Sequence, residues 1–322
     1  MLLVLGAFLL TLFVLSDAVL THSRSFWRFC KRGGFAGTTA PLVVEASLSL
    51  AAPGRSDVIV IGSSVVERDI NEAEVAAASH LPVDRLLKLP LFGGSSLEIA
   101  MLTRRLVALR PRVVVYLATP WTLQNKIDWD LLRFYDPLVA ADVLSWSEIL
   151  AEHATHAGGL LSASHVVIRH RSSLRTTLFR PLLAATAGGP VHAPRAREAG
   201  RRAWKERYAA RRGDFACDNI NARSLDAMAR RLSDAGISFV VVSTPVSGRW
   251  GRDPELVGFV DDCLASRARA QRFVFLSRDT WSKYPPTMFG DYVHMSPEGR
   301  DKFSNELGRA LAGELPRLRS HR

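Results

Sequence analysis

After position 57 the chain carries five short runs of apolar, mostly β-branched residues: DVIVIG (57–62), RLLKLPL (85–91), RVVVYLA (112–118), ISFVVVST (237–244) and RFVFLS (272–277). Each is too short for a stable helix and too uniformly apolar for a strand with one wet side, so each predicts a strand covered on both faces. Between them the apolar spacing changes to three and four. SSLEIAMLTRRLVALR (95–110) places Leu97, Met101, Leu102, Leu106 and Leu109 on one helical side, and ARSLDAMARRLSDAG (222–236) closes on Gly236 as a C-cap. Buried strands alternating with amphipathic helices predict an α/β protein, a three-layer α/β/α sandwich around a mainly parallel five-stranded sheet.

Three stretches break the alternation. The first, MLLVLGAFLLTLFVLSDAVL (1–20), has Asp17 as its one charge and predicts a membrane anchor or an uncleaved signal segment. Arg24, Arg28, Lys31 and Arg32 follow it, and by the positive-inside rule they place the body of the protein in the cytoplasm. The second, residues 21–56, contains KRGGFAGTTAPL and LAAPGRSD and is read as a linker or lead-in. The domain proper is expected over 57–316, with a basic tail at 317–322. The third, about 122–220, contains no run resembling a buried strand and includes the breaker-rich AATAGGPVHAPRAREAGRR, which predicts a helical insertion with a loop.

Composition narrows the function classes. The 322 residues carry a formal charge of +11, from 42 Lys and Arg against 31 Asp and Glu. No aromatic-interleaved basic motif or zinc-finger spacing accompanies that excess, so nucleic acid is not the expected partner; anionic lipid headgroups suit the charge equally well. Cys30, Cys217 and Cys263 are far apart and odd in number. They are read as separate thiols, a Cys217 to Cys263 bridge being the alternative. His153, His156, His165 and His170 lack a matching carboxylate or cysteine set, so no metal is expected, and no cofactor either.

Ligands of doubly wound folds sit at the carboxyl ends of the strands, so the residues just after each run matter most. The first run is followed by Ser63 and Ser64, the second by Gly93 and Gly94, the third by Thr119, Pro120 and Trp121, the fourth by TPVSGRW, and the last by FGDYVHMSPEG with Asp291 and His294. A serine nucleophile needs a base, a group that orients the base, and donors for an oxyanion. Ser64, His294 and Asp291 supply the first three, and backbone N–H groups at Ser64 and at Gly93 or Gly94 the donors. Ser296, Pro297 and Glu298 mark the start of a helix directly after the histidine. Singly, a Gly-Ser-Ser is an ordinary turn, a Gly-Gly a bend and a D-x-x-H a loop; together, at successive strand ends, they read as a site. Trp121, Trp250, Arg249 and Arg252 would shape a carbohydrate or anionic-polymer groove, or else pack and solvate in the ordinary way.

VIVIGSSVV and DYVHMSPEG resemble the first and last blocks of the SGNH/GDSL hydrolase superfamily, with Ser64 at the nucleophile position and Ser63 where that family usually has Asp. GGSSLEIAMLTRRLVALRPRVVVYLATPW and VVVSTPVSGRW resemble its DltD-like membrane-anchored branch, which acts in D-alanylation of teichoic acids. The resemblance spans about 57–121 and 237–311 and implies a flavodoxin-like sandwich, a Ser64–His294–Asp291 triad and no cofactor. It further implies an esterase or O-acyltransferase acting on an O-acylated carbohydrate, cell-envelope polymer or lipid, tethered by an N-terminal helix beside a membrane-bound acyl-transfer partner. It favours an extracytoplasmic domain, against the flanking charges. The family's oxyanion asparagine is missing: its place reads Ala118, Thr119, Pro120 and Trp121, so Thr119, Trp121 or a backbone N–H would have to substitute. The competing expectation is a catalytically inactive scaffold that keeps the fold and uses the rim for binding.

Overall fold

The computed structural model describes residues 23–31, 40–124, 141–144, 216–247, 254–271, 273–291 and 294–319, with the isolated positions 11, 15, 19 and 22. All five expected strands form, each inside its apolar run: β1 (Val58–Gly62), β2 (Leu86–Pro90), β3 (Val113–Ala118), β4 (Ser238–Ser243) and β5 (Val274–Leu276). They make one sheet in the order β2-β1-β3-β4-β5, and every neighbouring pair is parallel. Gly62 is level with Pro90 on one side and Leu117 on the other, so the ends of β1, β2 and β3 share one rim. The strand order reverses at β1, which makes this rim the crevice where such folds place their ligands.

The described helices are α1 (Arg24–Lys31), α2 (Ala40–Leu50), α3 (Ser64–Arg68), α4 (Glu72–Ala78), α5 (Ser96–Ala100), α6 (Thr103–Leu109), α7 (Ile220–Asp234), α8 (Pro254–Gln271) and α9 (Pro297–Arg319). Because side chains alternate across a strand, Ile59, Ile61, Val114, Tyr116, Phe239 and Val241 all face one side, where they pack with Leu97, Leu106, Leu225 and Leu264 from α5, α6, α7 and α8. Val58, Val60, Val113, Val115, Val240 and Val242 face the other, against Val65 and Val66 of α3, Val75 of α4 and Phe303 and Leu307 of α9. Two apolar layers thus sandwich the sheet, each fully buried side chain contributing about 1.5–3 kcal/mol.

Five expectations need correction or delimiting. The lead-in is not a bare linker: α1 and α2 lie within it, Trp27 and Cys30 cluster with Leu42 and Ala46, and Val44 and Leu48 join the main core. Glycine and proline mark only the flanks of these helices, and PLVVEASLSL is apolar enough to be buried on several sides. Cys217 and Cys263 are disulfide-bonded, with Cα atoms 5.6 Å apart, because the lead into α7 lies beside α8. Their 46-residue separation carried no sign of that. The basic tail is partly helical, since α9 runs to Arg319. Among the described residues no helix is long and apolar enough to cross a membrane, and most of the run at 1–20 lies outside them. Most of 122–220 also lies outside the described residues, with His153, His156, His165 and His170, as do Arg249, Trp250 and Arg252.

Candidate active site

The position of Ser64, the candidate nucleophile, follows from the end of β1. A side chain at Gly62 would put Cβ 2.8 Å from Val66 Cγ2 and 3.1 Å from the Leu117 carbonyl oxygen, so only glycine lets α3 fold back this closely on β3. Ser63 is the extended N-cap residue and α3 begins at Ser64, whose N–H precedes the first helical bond and has no partner within the helix.

His294, the candidate base, is carried by a hydrogen-bonded loop ahead of α9. The His294 carbonyl accepts from Gly290 N–H at 2.9 Å and Asp291 N–H at 3.3 Å, and Ser296 N–H donates to the Met288 carbonyl at 2.9 Å. Phe289 and Met295 form an isolated antiparallel bridge. Ser296 caps α9 as expected, its hydroxyl accepting from Gly299 N–H at 3.2 Å. Gly299 lies so close to Met288 that a Cβ there would be 2.2 Å from the Met288 carbonyl oxygen. The loop is thus pressed onto the first turn of the helix.

These two elements meet across the sheet edge. Ser64 Oγ lies 2.9 Å from His294 Nε2. His294 Nδ1 lies 2.8 Å from Asp291 Oδ2, and Asp291 Oδ1 accepts from the His294 main-chain N–H at 2.7 Å. A neutral imidazole with its proton on Nδ1 satisfies both ring contacts, donating to Asp291 and accepting from the Ser64 hydroxyl. The His294 side chain is 14% exposed and that of Asp291 45%, so the imidazole is sheltered while its partner remains wet.

The expected oxyanion donors are less uniform. Gly93 is left-handed, with φ +74°, and its N–H makes no hydrogen bond among the described residues. Gly94 N–H is already committed to the Leu91 carbonyl at 2.9 Å, so Gly94 closes the turn and, of the two, Gly93 is the remaining candidate donor. Thr119 is 2% exposed and its Oγ1 is buried without a hydrogen-bond partner, as is Ser63 Oγ on the adjacent strand end. Trp121 lies on the short 3-10 turn Pro120–Leu123. That turn is pinned from below: Ser96 Oγ bonds both Tyr116 Oη at 2.8 Å and the Thr122 carbonyl at 2.9 Å, and Asn219 Nδ2 donates to the Leu123 carbonyl at 2.6 Å. Burial pushes the Tyr116 hydroxyl up to about 12, so it stays a neutral member of this network. Ser95 and Glu98 form a capping box at the start of α5, fixing the strand-to-helix loop that carries Gly93.

Two residues of the site escaped the sequence reading, and both follow Ser64 by about one helical turn. Arg68 Nη1 is 3.7 Å from Asp291 Oδ2 and 3.3 Å from His294 Nδ1. With the ring proton on Nδ1 the second contact sets donor against donor, so its attraction is to Asp291, across two half-exposed side chains that water screens. Asp69 is 1% exposed and its Oδ1 accepts from Met295 N–H at 2.9 Å. Desolvation pushes its carboxyl up to about 8, opposed by the Met295 N–H and by Arg68 and reinforced by the charge of Asp291. One helical turn of spacing from the nucleophile, in E-R-D, was the available signal.

Among the described residues no three His, Cys, Asp or Glu side chains gather as metal ligands. No protein-family model matches the chain, and no curated protein matches it.

Proposed function

We propose that this protein is a serine acyl-ester hydrolase or O-acyltransferase of SGNH/GDSL type, acting through Ser64, His294 and Asp291. The observation that carries the reading is the continuous chain of contacts from Ser64 Oγ to His294 Nε2 at 2.9 Å and from His294 Nδ1 to Asp291 Oδ2 at 2.8 Å, at the topological switch of the sheet.

In this reading Ser64 Oγ attacks the carbonyl carbon of an O-acyl group while Nε2 takes the hydroxyl proton. Asp291 holds the proton on Nδ1 and stabilises the imidazolium. The carbonyl electron pair moves to oxygen, where the N–H groups of Ser64 and Gly93 and the hydroxyl of Thr119 are the candidate donors; one such donor is typically worth about 10²–10³ in kcat. Collapse breaks the bond to the alcohol oxygen, which leaves with the proton from Nε2. Water, or a second hydroxyl, then attacks the acyl-enzyme by the same steps in reverse. The first half-reaction is common to hydrolysis and transfer, and it needs no cofactor.

The substrate class follows from the resemblance: an O-acylated glycan, cell-envelope polymer or lipid, met at a membrane by a chain with an N-terminal anchor. The Cys217–Cys263 disulfide supports an oxidising, extracytoplasmic compartment over the side suggested by the flanking arginines. A fluorophosphonate probe tests the chemistry: a Ser64-dependent adduct, absent in Ser64→Ala, supports it. Folded protein without an adduct points instead to a non-catalytic scaffold, a reading favoured by the Gly94 N–H being occupied and by the missing asparagine donor.

A further inference from the structure

Two segments separated by more than two hundred residues must be held in register for Ser64 to reach His294. Bonds within the loop from Met288 to Ser296 fix Asp291 to His294, but they do not fix the loop to α3. The described contacts between α3, with its C-cap Asp69, and that loop include three polar approaches of hydrogen-bond length, besides the Arg68–Asp291 ion pair at 3.7 Å across two half-exposed side chains. Ser64 to His294 is the reactive contact itself. Arg68 to His294 comes from a half-exposed arginine and sets donor against donor. Asp69 to Met295 is buried, 2.9 Å long and one residue from the imidazole.

We propose that Asp69 is a positioning residue of the triad: its carboxyl oxygen grips the Met295 N–H and so fixes the His294 imidazole over Ser64. The inference rests on the triad read above. Asp69 suits the task because it is rigidly tied to the nucleophile, five residues on along the same helix and with its own N–H bonded to the Val65 carbonyl at 2.8 Å. Along the path from Ser64 through α3, Asp69 and Met295 to His294, Ser64 and His294 are partly buried, and Met295 and Asp69 are buried. Its burial also keeps the carboxyl protonated near neutrality, so it serves as an acceptor without placing a second anion beside Asp291. Farther along, Ser304 of α9 accepts from Asn71 N–H at 2.8 Å, which steadies the helix but lies farther from the ring.

The test uses the full chain with Asp69→Asn, which retains the acceptor, Asp69→Ala, which removes it, and Phe303→Leu as a core control that packs on Trp281 with ring centroids 5.3 Å apart. Two quantities are read: the rate of fluorophosphonate labelling at Ser64, and the titration midpoint of the His294 ring protons by NMR. Labelling of Asp69→Ala slows by roughly 10–100-fold, as expected for a base displaced by about 1 Å. Asp69→Asn stays within about 3-fold of the parent, and Phe303→Leu loses thermal stability without losing labelling rate. If Asp69→Ala does not fold, Asp69→Ser, too short to reach Met295, takes its place. Equal labelling and an unmoved His294 midpoint in the alanine or serine variant overturn the inference, as does equal slowing in Phe303→Leu. Absence of labelling in the parent overturns the esterase reading instead. The His294 midpoint, displaced in Asp69→Ala and restored in Asp69→Asn, then still decides for positioning.

Discussion

Ser64 Oγ and His294 Nε2 lie 2.9 Å apart although 230 positions separate them in the chain. The contact joins two distant parts of the domain, the start of α3 just after β1 supplying the oxygen and the lead into α9 the ring. On the proposed chemistry, Ser64→Ala and His294→Ala each lower kcat for p-nitrophenyl acetate by about 10³-fold or more, with Tm nearly unchanged. Hydrolysis that survives both substitutions removes the triad from the account.

Asp69 gives a stability signature opposite in sign to that of a salt-bridged carboxylate. Its folded pKa of about 8 lies above the ordinary value, so between about pH 4 and pH 8 the folded protein holds a proton that the unfolded chain has released. That contribution therefore erodes as pH rises through this window and levels off above it. Asp69→Asn removes the dependence: its Tm exceeds that of the parent at pH 8, by an amount on the order of a few kcal/mol in stability, and the gap closes towards pH 4. Thermal melts at three pH values decide, and a gap that widens on acidification contradicts the burial argument.

The Cys217–Cys263 bridge closes a 46-residue interval, for which chain entropy gives about 4 kcal/mol of stabilisation. Arg267 reinforces the same corner, its Nε donating to the Cys217 carbonyl at 2.8 Å. Cys263→Ser, or reduction with dithiothreitol, lowers the urea midpoint accordingly. Unchanged denaturation under reductant would show that the bond is absent or idle.

At the end of β1 the packing leaves no room for a methyl group. Gly62→Ala places Cβ 2.8 Å from Val66 and 3.1 Å from the Leu117 carbonyl, and the second of these is backbone that cannot swing aside. The variant loses about 1–3 kcal/mol of stability and displaces α3, so labelling at Ser64 falls together with Tm. Wild-type labelling by Gly62→Ala would mean that the close approach does not set the nucleophile.

The sheet was legible because it is buried on both faces, which forces VIVIG, VVVYLA and FVVVS to be apolar throughout. The meeting of Ser64, Asp291 and His294 was legible because each sits where a strand or the last helix begins or ends, positions that turn chemistry marks in the sequence. Asp69 was not, since an acidic residue after a short helix is ordinarily a solvated cap, and here Met295 and Ser304, both distant in sequence, close over it. The same holds for Cys217 and Cys263, whose proximity is created by packing between α7 and α8 rather than by local pattern. Gly93 and Gly94 are equivalent on paper, and the Leu91 carbonyl, which takes the Gly94 N–H, distinguishes them only in three dimensions.

The loop that presses against α9 at Gly299 has a bearing on biosynthesis. A nascent polypeptide emerging from the ribosome displays its hydroxyl early, yet has no imidazole to activate it until the last helix docks. Any fragment cut before Met288 would keep the residues of all five strands but lack the imidazole and the helix that covers one face of the sheet, so the proposed acyl chemistry is withheld until the last helix has docked.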